Sequence, residues 1–95
     1  MVSYAKEILI RGIKEVGSKV AISGIISLVE DNFFLIDDGS SQARIFFNNN
    51  LDPGTYVRVF GIVIDYKNGV EIQAEIVQDL SKIDKKLHKR LKELF

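Results

Sequence analysis

Few side chains in this sequence have the types and spacing that catalysis or metal binding needs. His88 is the single histidine, and it lies in a run of lysine and arginine without a partner pattern for metal or acid–base work. Asp37 and Asp38 precede Gly39, a pattern typical of a turn, and they offer fewer oxygen ligands than a calcium site requires. Because the sequence contains no cysteine, it has no thiolate nucleophile, thiolate metal site or disulfide. We therefore expect a protein that is not an enzyme and that uses neither metal nor cofactor.

The charges balance overall but are divided unevenly along the chain. Residues 1–80 carry seven basic and eleven acidic side chains, a net charge of −4. Residues 81–95 carry six basic and two acidic side chains, a net charge of +4. Nonspecific binding of nucleic acid depends on neutralising phosphates, so the acidic part by itself is poorly suited to strong binding of this kind.

The length and the apolar runs limit where the protein can act. Its 95 residues are enough for one domain and no more. No apolar run approaches the roughly 18 residues of a membrane span, and the N-terminus lacks the charged-then-apolar pattern of a signal peptide. We expect an intracellular, cytoplasmic protein with neither a membrane nor a small-molecule substrate as its partner.

Any binding residues must be positioned by strands, because apolar residues recur with period two and β-branched residues dominate. The predicted strands are residues 19–29, 33–36, 42–47, 56–64 and 70–77. The inward residues are predicted to include Leu28 in the first strand and Ile76 in the fifth, while Gly24 indicates a bend and Gly61 a bulge. With no helix available for parallel crossovers, the pattern predicts an all-β, five-stranded antiparallel Greek-key barrel followed by a C-terminal α-helix.

Segments of a different character flank the predicted barrel of residues 19–79. Residues 1–18 are predicted to form an N-terminal cap, since the loop between strands three and four is too short to hold a helix that closes the barrel end. Residues 80–95 are predicted to form an amphipathic helix with Ser81 as its N-cap. Its apolar stripe consists of Ile83, Leu87, Leu91, Leu94 and Phe95. An intermolecular helix bundle is the favoured use of this stripe; packing on the chain's own barrel and lying on a membrane are the alternatives.

Three runs of the sequence carry a family resemblance. They are VAISGIIS (20–27), FFLIDDGSSQARIFF (33–47) and GTYVRVFGIVIDYKNGVEIQAEIV (54–77). Together they resemble the OB-fold of replication protein A and its archaeal relatives, most of all the middle subunit, and they are related to small subunits of telomere complexes. The resemblance covers residues 18–95. It implies an OB-fold barrel that binds single-stranded DNA and a C-terminal helix that joins the helices of sister subunits.

In that family, single-stranded DNA lies across strands two and three and their flanking loops. The resemblance, combined with the strand alternation, implies the following nucleic-acid-binding residues: Phe33, Arg44, Phe46, Arg58, Tyr66 and Lys67. Aromatic stacking contributes about 1–3 kcal/mol per base, and arginine adds phosphate or stacking contacts. A register slip of one residue would instead make Phe33 and Phe46 packing residues. Taken singly, Arg44 and Arg58 are also consistent with plain surface charges.

Two functions follow as hypotheses. The first is a small OB-fold subunit of a replication-protein-A-like complex in DNA replication or repair, with modest contact to single-stranded DNA and assembly with other OB-fold subunits through the C-terminal helix. The second is a protein-interaction adaptor of such an assembly that makes no nucleic-acid contact of its own. The acidic barrel, with Glu71 and Glu75 on the outward side of the fifth strand, favours the second.

Overall fold

The computed structural model describes residues 7–48 and 51–80, and all the predicted strands are present in it. They are β1 Lys19–Val29, β2 Phe33–Asp37, β3 Gln42–Phe46, β4 Tyr56–Asp65 and β5 Val70–Asp79, preceded by a 3₁₀ turn at Ile10–Gly12. The predicted C-terminal helix and its apolar residues (Ile83, Leu87, Leu91, Leu94 and Phe95) lie outside the described residues. Within the described ranges, no helix is long and apolar enough to cross a bilayer.

The strands close into a barrel in the order β1-β2-β3-β5-β4, the strand order of an OB-fold. The prediction of a wholly antiparallel barrel is wrong at one pair, because β3 and β5 run parallel from Ala43↔Val70 to Phe46↔Gln73. The reason is geometric: strand directions cannot alternate all the way round a closed barrel with an odd number of strands. One parallel pair is therefore required, and here it joins β3 to β5.

In three strands, an extra residue shifts the pairing register. Beyond each shift, the positions that point into the barrel and those that point outward change places along the strand. In β1, Ile26 pairs with Ile36 and Leu28 with Leu35, which leaves Ser27 as the extra residue. In β5, Glu75 is left between the pairs Phe60↔Ile76 and Gly61↔Ala74; a third shift lies between Val63 and Asp65 of β4. The inward predictions for Leu28 and Ile76 are consequently wrong, since these side chains are 42% and 48% exposed. A bulge changes which residues face the core while leaving the sequence alternation intact.

The core is a single cluster of aliphatic side chains and Phe34 inside the barrel. No polar or charged residue is buried within the described ranges. The chain before β1 contributes Ile10 and Ile13 to this cluster, and Ile10 is fully buried. This segment lies along β1, where the Ile8 N–H donates to the Ala21 carbonyl at 2.9 Å. The segment thus pairs with β1 through its backbone and adds two side chains to the core of the barrel.

Two glycines allow neighbouring strands to approach closely. A Cβ at Gly24 would lie 2.5 Å from the carbonyl oxygen of Asp37 on β2. A Cβ at Gly61 would lie 2.7 Å from Cγ2 of Ile72 and 2.9 Å from Cα of Ala74 on β5. Gly61 also sits at a register shift between β4 and β5, where the extra residue belongs to β5 rather than to the fourth strand as predicted.

Candidate functional site

The outward face of β2 and β3 carries two phenylalanines and an arginine. Along these strands Phe34 and Ile45 are buried, while Phe33 and Phe46 are half-buried and Arg44 is exposed. The observed alternation is the predicted one, and Phe33 pairs directly with Phe46 across the two strands. We refer to Phe33, Arg44 and Phe46 as the aromatic–arginine cluster.

The members of the cluster touch one another. The ring centroids of Phe33 and Phe46 are 5.9 Å apart with the planes tilted by 50°, a geometry within the range of favourable aromatic pairs. The guanidinium carbon of Arg44 lies 5.1 Å from the Phe33 centroid, within reach of a cation–π interaction. The cluster therefore offers two adjacent π surfaces with a positive charge beside them.

Strand β5 supplies a negative charge to the same surface. Arg44 Nη1 donates to Glu71 Oε2 at 2.9 Å, since Glu71 is the partner of Arg44 across the parallel pair. The Arg44 side chain is 47% exposed and that of Glu71 27%, so the pair is partly solvated. Two residues further along β5, Gln73 Nε2 donates to the backbone carbonyl of Phe46 at 3.2 Å. The guanidinium is thus held over the Phe33 ring by a carboxylate that also neutralises it.

The turn between β4 and β5 lies next to this surface. A groove between them is lined by Leu35, Gln42, Ala43, Arg44, Asn68, Gly69, Val70 and Glu71. Lys67 in this turn is exposed, and its N–H is bonded to Asp65 Oδ1 at 3.1 Å. Tyr66 is half-buried and packs against the core. In OB-folds the β2–β3 face and this turn together form the usual oligonucleotide site.

Arg58 lies away from the cluster. It pairs with Ser23 in β1, on the other side of the barrel. Its Nε donates to Glu7 Oε1 at 3.1 Å, and the Ser23 hydroxyl donates to the same oxygen. Arg58 thus ties the segment before β1 to the barrel. Of the predicted nucleic-acid-binding residues, the structure brings together Phe33, Arg44 and Phe46, places Lys67 and Tyr66 in the adjoining turn, and sets Arg58 apart.

Some residues of this surface were not among the predicted site residues. Leu35 and Gln42 line the groove, and the outward alternation that selected Phe33 also selects Leu35. The ion pair of Glu71 with Arg44 has no signal in the sequence, because it depends on the parallel register of β3 and β5.

The Asp37–Ser40 turn serves structure, as its sequence indicated. Asp38 Oδ2 accepts the Ile10 N–H at 2.8 Å, and Oδ1 accepts both the N–H of Ser40 at 2.9 Å and its hydroxyl at 2.6 Å. Partial burial raises the pKa of Asp38, but hydrogen bonds from Ser40, Ile10 and Ser41 outweigh it and leave the pKa below its ordinary value. Within residues 7–48 and 51–80, no group of three or more histidine, cysteine or acidic side chains could hold a metal ion.

Several solved structures have a similar fold at low sequence identity. The S. pombe Stn1–Ten1 complex matches with a TM-score of 0.63 and 17% identity, covering 95% of this chain and 94% of that chain. The telomere capping protein Ten1 from S. pombe matches with a TM-score of 0.56 and 13% identity, covering 83% of this chain and 87% of that one. An OBody bound to hen egg-white lysozyme matches with a TM-score of 0.64 and 18% identity, covering 82% and 97%. These likenesses concern the fold.

No curated protein matches the sequence. The sequence does match a protein family, that of the OB-fold nucleic acid binding domain, over residues 20–80. The matched range begins at the second residue of β1 and ends just after β5, so it contains all of the barrel except Lys19 and includes the aromatic–arginine cluster. The chain belongs to the OB-fold nucleic-acid-binding domain family.

Proposed function

We propose that the chain is a small OB-fold subunit of a complex that binds single-stranded DNA, and that it contacts the DNA through the aromatic–arginine cluster. The observation that carries this proposal is the cluster itself: Phe33 and Phe46 lie side by side on the β2–β3 face, with Arg44 against Phe33. This is the face on which OB-folds bind oligonucleotides. Family membership supports nucleic acid as the class of ligand.

The cluster would bind bases by stacking and the backbone by charge. Each base stacked on a phenylalanine contributes about 1–3 kcal/mol and requires no particular sequence. Arg44 is the only cation in the cluster, and its charge is offset by Glu71 at 2.9 Å. With a net charge of −4 over residues 1–80, the barrel gains little from counterion release. We therefore expect modest affinity with a shallow salt dependence for the chain alone.

Partner subunits would supply the remaining affinity. Residues 81–95 combine a net charge of +4 with apolar residues at helical spacing, a pattern suited to helix–helix assembly. The Stn1–Ten1 complex, whose fold this chain shares, is itself an assembly of more than one protein. We propose assembly of this kind, in the manner of replication protein A or of a telomere complex, inside the cell and in DNA replication or repair.

The test is a titration of labelled single-stranded DNA followed by fluorescence anisotropy. Phe33→Ala and Phe46→Ala should each weaken binding at least fivefold, since each removes a stacking surface worth about 1–3 kcal/mol. Ile64→Ala is the matched control, because Ile64 is 45% exposed on β4 and lies outside the cluster. Unchanged affinity in both phenylalanine variants, with thermal melts showing folded protein, would contradict the proposed site.

The adaptor function is the second candidate, and one observation favours it. Arg44 and Arg58, the two arginines predicted to bind nucleic acid, are both paired with glutamates, Glu71 and Glu7. The fold is also compatible with protein ligands, as the OBody bound to lysozyme illustrates. An adaptor would show no salt-sensitive DNA binding. Phe33→Ala would then lower the mass of its protein assembly in light scattering, while the DNA titrations would show no binding for either the parent chain or the variant.

A further inference from the structure

A second groove lies on the barrel, away from the aromatic–arginine cluster. We call it the exit groove; it is lined by Ser23, Gly24, Ile25, Ser27, Asp37, Asp38, Gly39 and Tyr56. Its floor is apolar, since Ile25 pairs with Tyr56 across β1 and β4 and the two side chains are 45% and 37% exposed. Its rim is acidic, since Ile25 pairs on its other side with Asp37 of β2.

The chain leaves the barrel beside this groove. Strand β5 ends at Asp79, which pairs with Val57, the neighbour of Tyr56. Strands lie about 4.8 Å apart, so Ile25, two strands from β5, is about 10 Å from the point where the chain departs. Residues 81–95 follow directly. Even if wholly helical, fifteen residues extend about 22 Å, more than enough to cross the groove.

We propose that the exit groove is the docking site for residues 81–95 of the same chain. The segment complements the groove in both chemistry and charge. Its apolar residues, among them Ile83 and Leu87, match the exposed Ile25 and Tyr56. Its net charge of +4 faces the carboxylates of the groove and complements the net charge of −4 carried by residues 1–80. Connection through β5 keeps the segment at high effective concentration, which favours its own groove over that of a second copy.

Docking in this way links the groove to assembly. The assembly proposed above uses the same apolar residues, so a partner subunit would have to displace the segment from its own barrel. This consequence rests on the proposed function, whereas the docking itself does not. Binding of a partner is then a competition between an intramolecular and an intermolecular contact for one apolar stripe.

The full chain allows a direct test because it contains no cysteine. Within one molecule of the double variant Ile25→Cys/Leu87→Cys, mild oxidation can join only these two positions, and only if their Cα atoms come within about 7 Å. The matched control is Ile25→Cys/Lys85→Cys, since residues 85 and 87 lie on opposite sides of a helix. A second pair, Tyr56→Cys/Ile83→Cys, repeats the test at another point of the groove.

We expect both groove pairs to form an intramolecular disulfide, seen as a faster-migrating monomer on non-reducing gels, at a rate at least tenfold above the control. Rates equal to the control, or disulfide-linked dimers in place of the monomer, would overturn docking within one chain. Mixing the single variants Ile25→Cys and Leu87→Cys identifies docking onto a second copy, because mixed dimers would then form faster than dimers of either variant alone. The readout needs no nucleic acid, so its failure is separate from failure of the DNA titration.

Discussion

Glu71 should limit the affinity of the cluster for DNA, because its carboxylate holds and neutralises Arg44 at 2.9 Å. Glu71→Gln keeps the side-chain shape and a hydrogen-bond acceptor but removes the charge. The lost ion pair costs stability little, about 0.2–1 kcal/mol, since both side chains are partly exposed. The cluster gains one unit of positive charge, and a new phosphate contact would steepen the salt dependence of log K by about 0.7. We expect binding about fivefold tighter at low salt, equivalent to about 1 kcal/mol.

Anisotropy titrations of labelled oligothymidine at several salt concentrations measure both the affinity and its salt slope. Glu75→Gln is the matched control, since it makes the same change of net charge on β5 at a residue outside the cluster. A tighter complex for Glu71→Gln than for Glu75→Gln would place the effect at Arg44. Equal increases in DNA affinity for the two variants would show that the change in overall charge, and not the release of Arg44, causes the effect. Weaker or unchanged binding for Glu71→Gln would refute the idea that Arg44 becomes available to phosphate.

Other expectations test the rest of the structure. Arg44→Ala should weaken DNA binding more than Arg58→Ala in the same titration, because Arg58 pairs with Glu7 away from the cluster; equal losses would move the DNA path toward β1 and β4. Asp38→Asn should lower the free energy of unfolding at pH 7 by about 1–2 kcal/mol in urea melts, since carboxylate hydrogen bonds are lost. Because the folded pKa of Asp38 is lowered, its stabilisation is present above the unfolded value and fades as pH falls through the folded one. The variant should therefore approach the parent chain in strong acid, and a constant difference across pH would count against this role. Gly61→Ala should lower the free energy of unfolding by about 1–3 kcal/mol, since the added methyl group would clash with Ile72 and Ala74. Gly12→Ala is its control in thermal melts, because a Cβ added at Gly12 has no neighbouring atom within 4 Å.

The strands could be predicted because each carries its own local signal. Alternation in residues 33–36 and 42–47 places Phe33 and Phe46 outward, and the structure has them outward and paired. Turn residues such as Asn68-Gly69 and Asp37–Gly39 mark where the strands end. These signals depend on the strand pleat and on turn geometry within a few residues. They can therefore be recognised without knowledge of the rest of the chain.

Features that depend on pairing between distant strands could not be predicted. The bulge at Glu75 turns Ile76 outward, yet residues 70–76 alternate without interruption in the sequence. The ion pair of Arg44 with Glu71 requires the parallel register of β3 and β5, which closure of the barrel imposes. Arg58 has the outward direction expected of it, but its strand lies on another side of the barrel from the cluster. Alternation gives the direction of a side chain, and only the closed sheet gives its neighbours.

The closure of the barrel therefore has a functional consequence beyond stability. The parallel pair that an odd number of strands requires sets Glu71 opposite Arg44, and this places a negative charge within the face proposed to bind DNA. A chain whose residues 1–80 carry a net charge of −4, with its one cluster arginine neutralised, is poorly suited to hold DNA alone. Under the proposed function, such a chain would gain most from assembly, where partners would add phosphate contacts and the cluster would add base stacking. Weak binding by the isolated chain is thus the behaviour that this geometry favours, and the proposed assembly would make residues 81–95 the natural point of control.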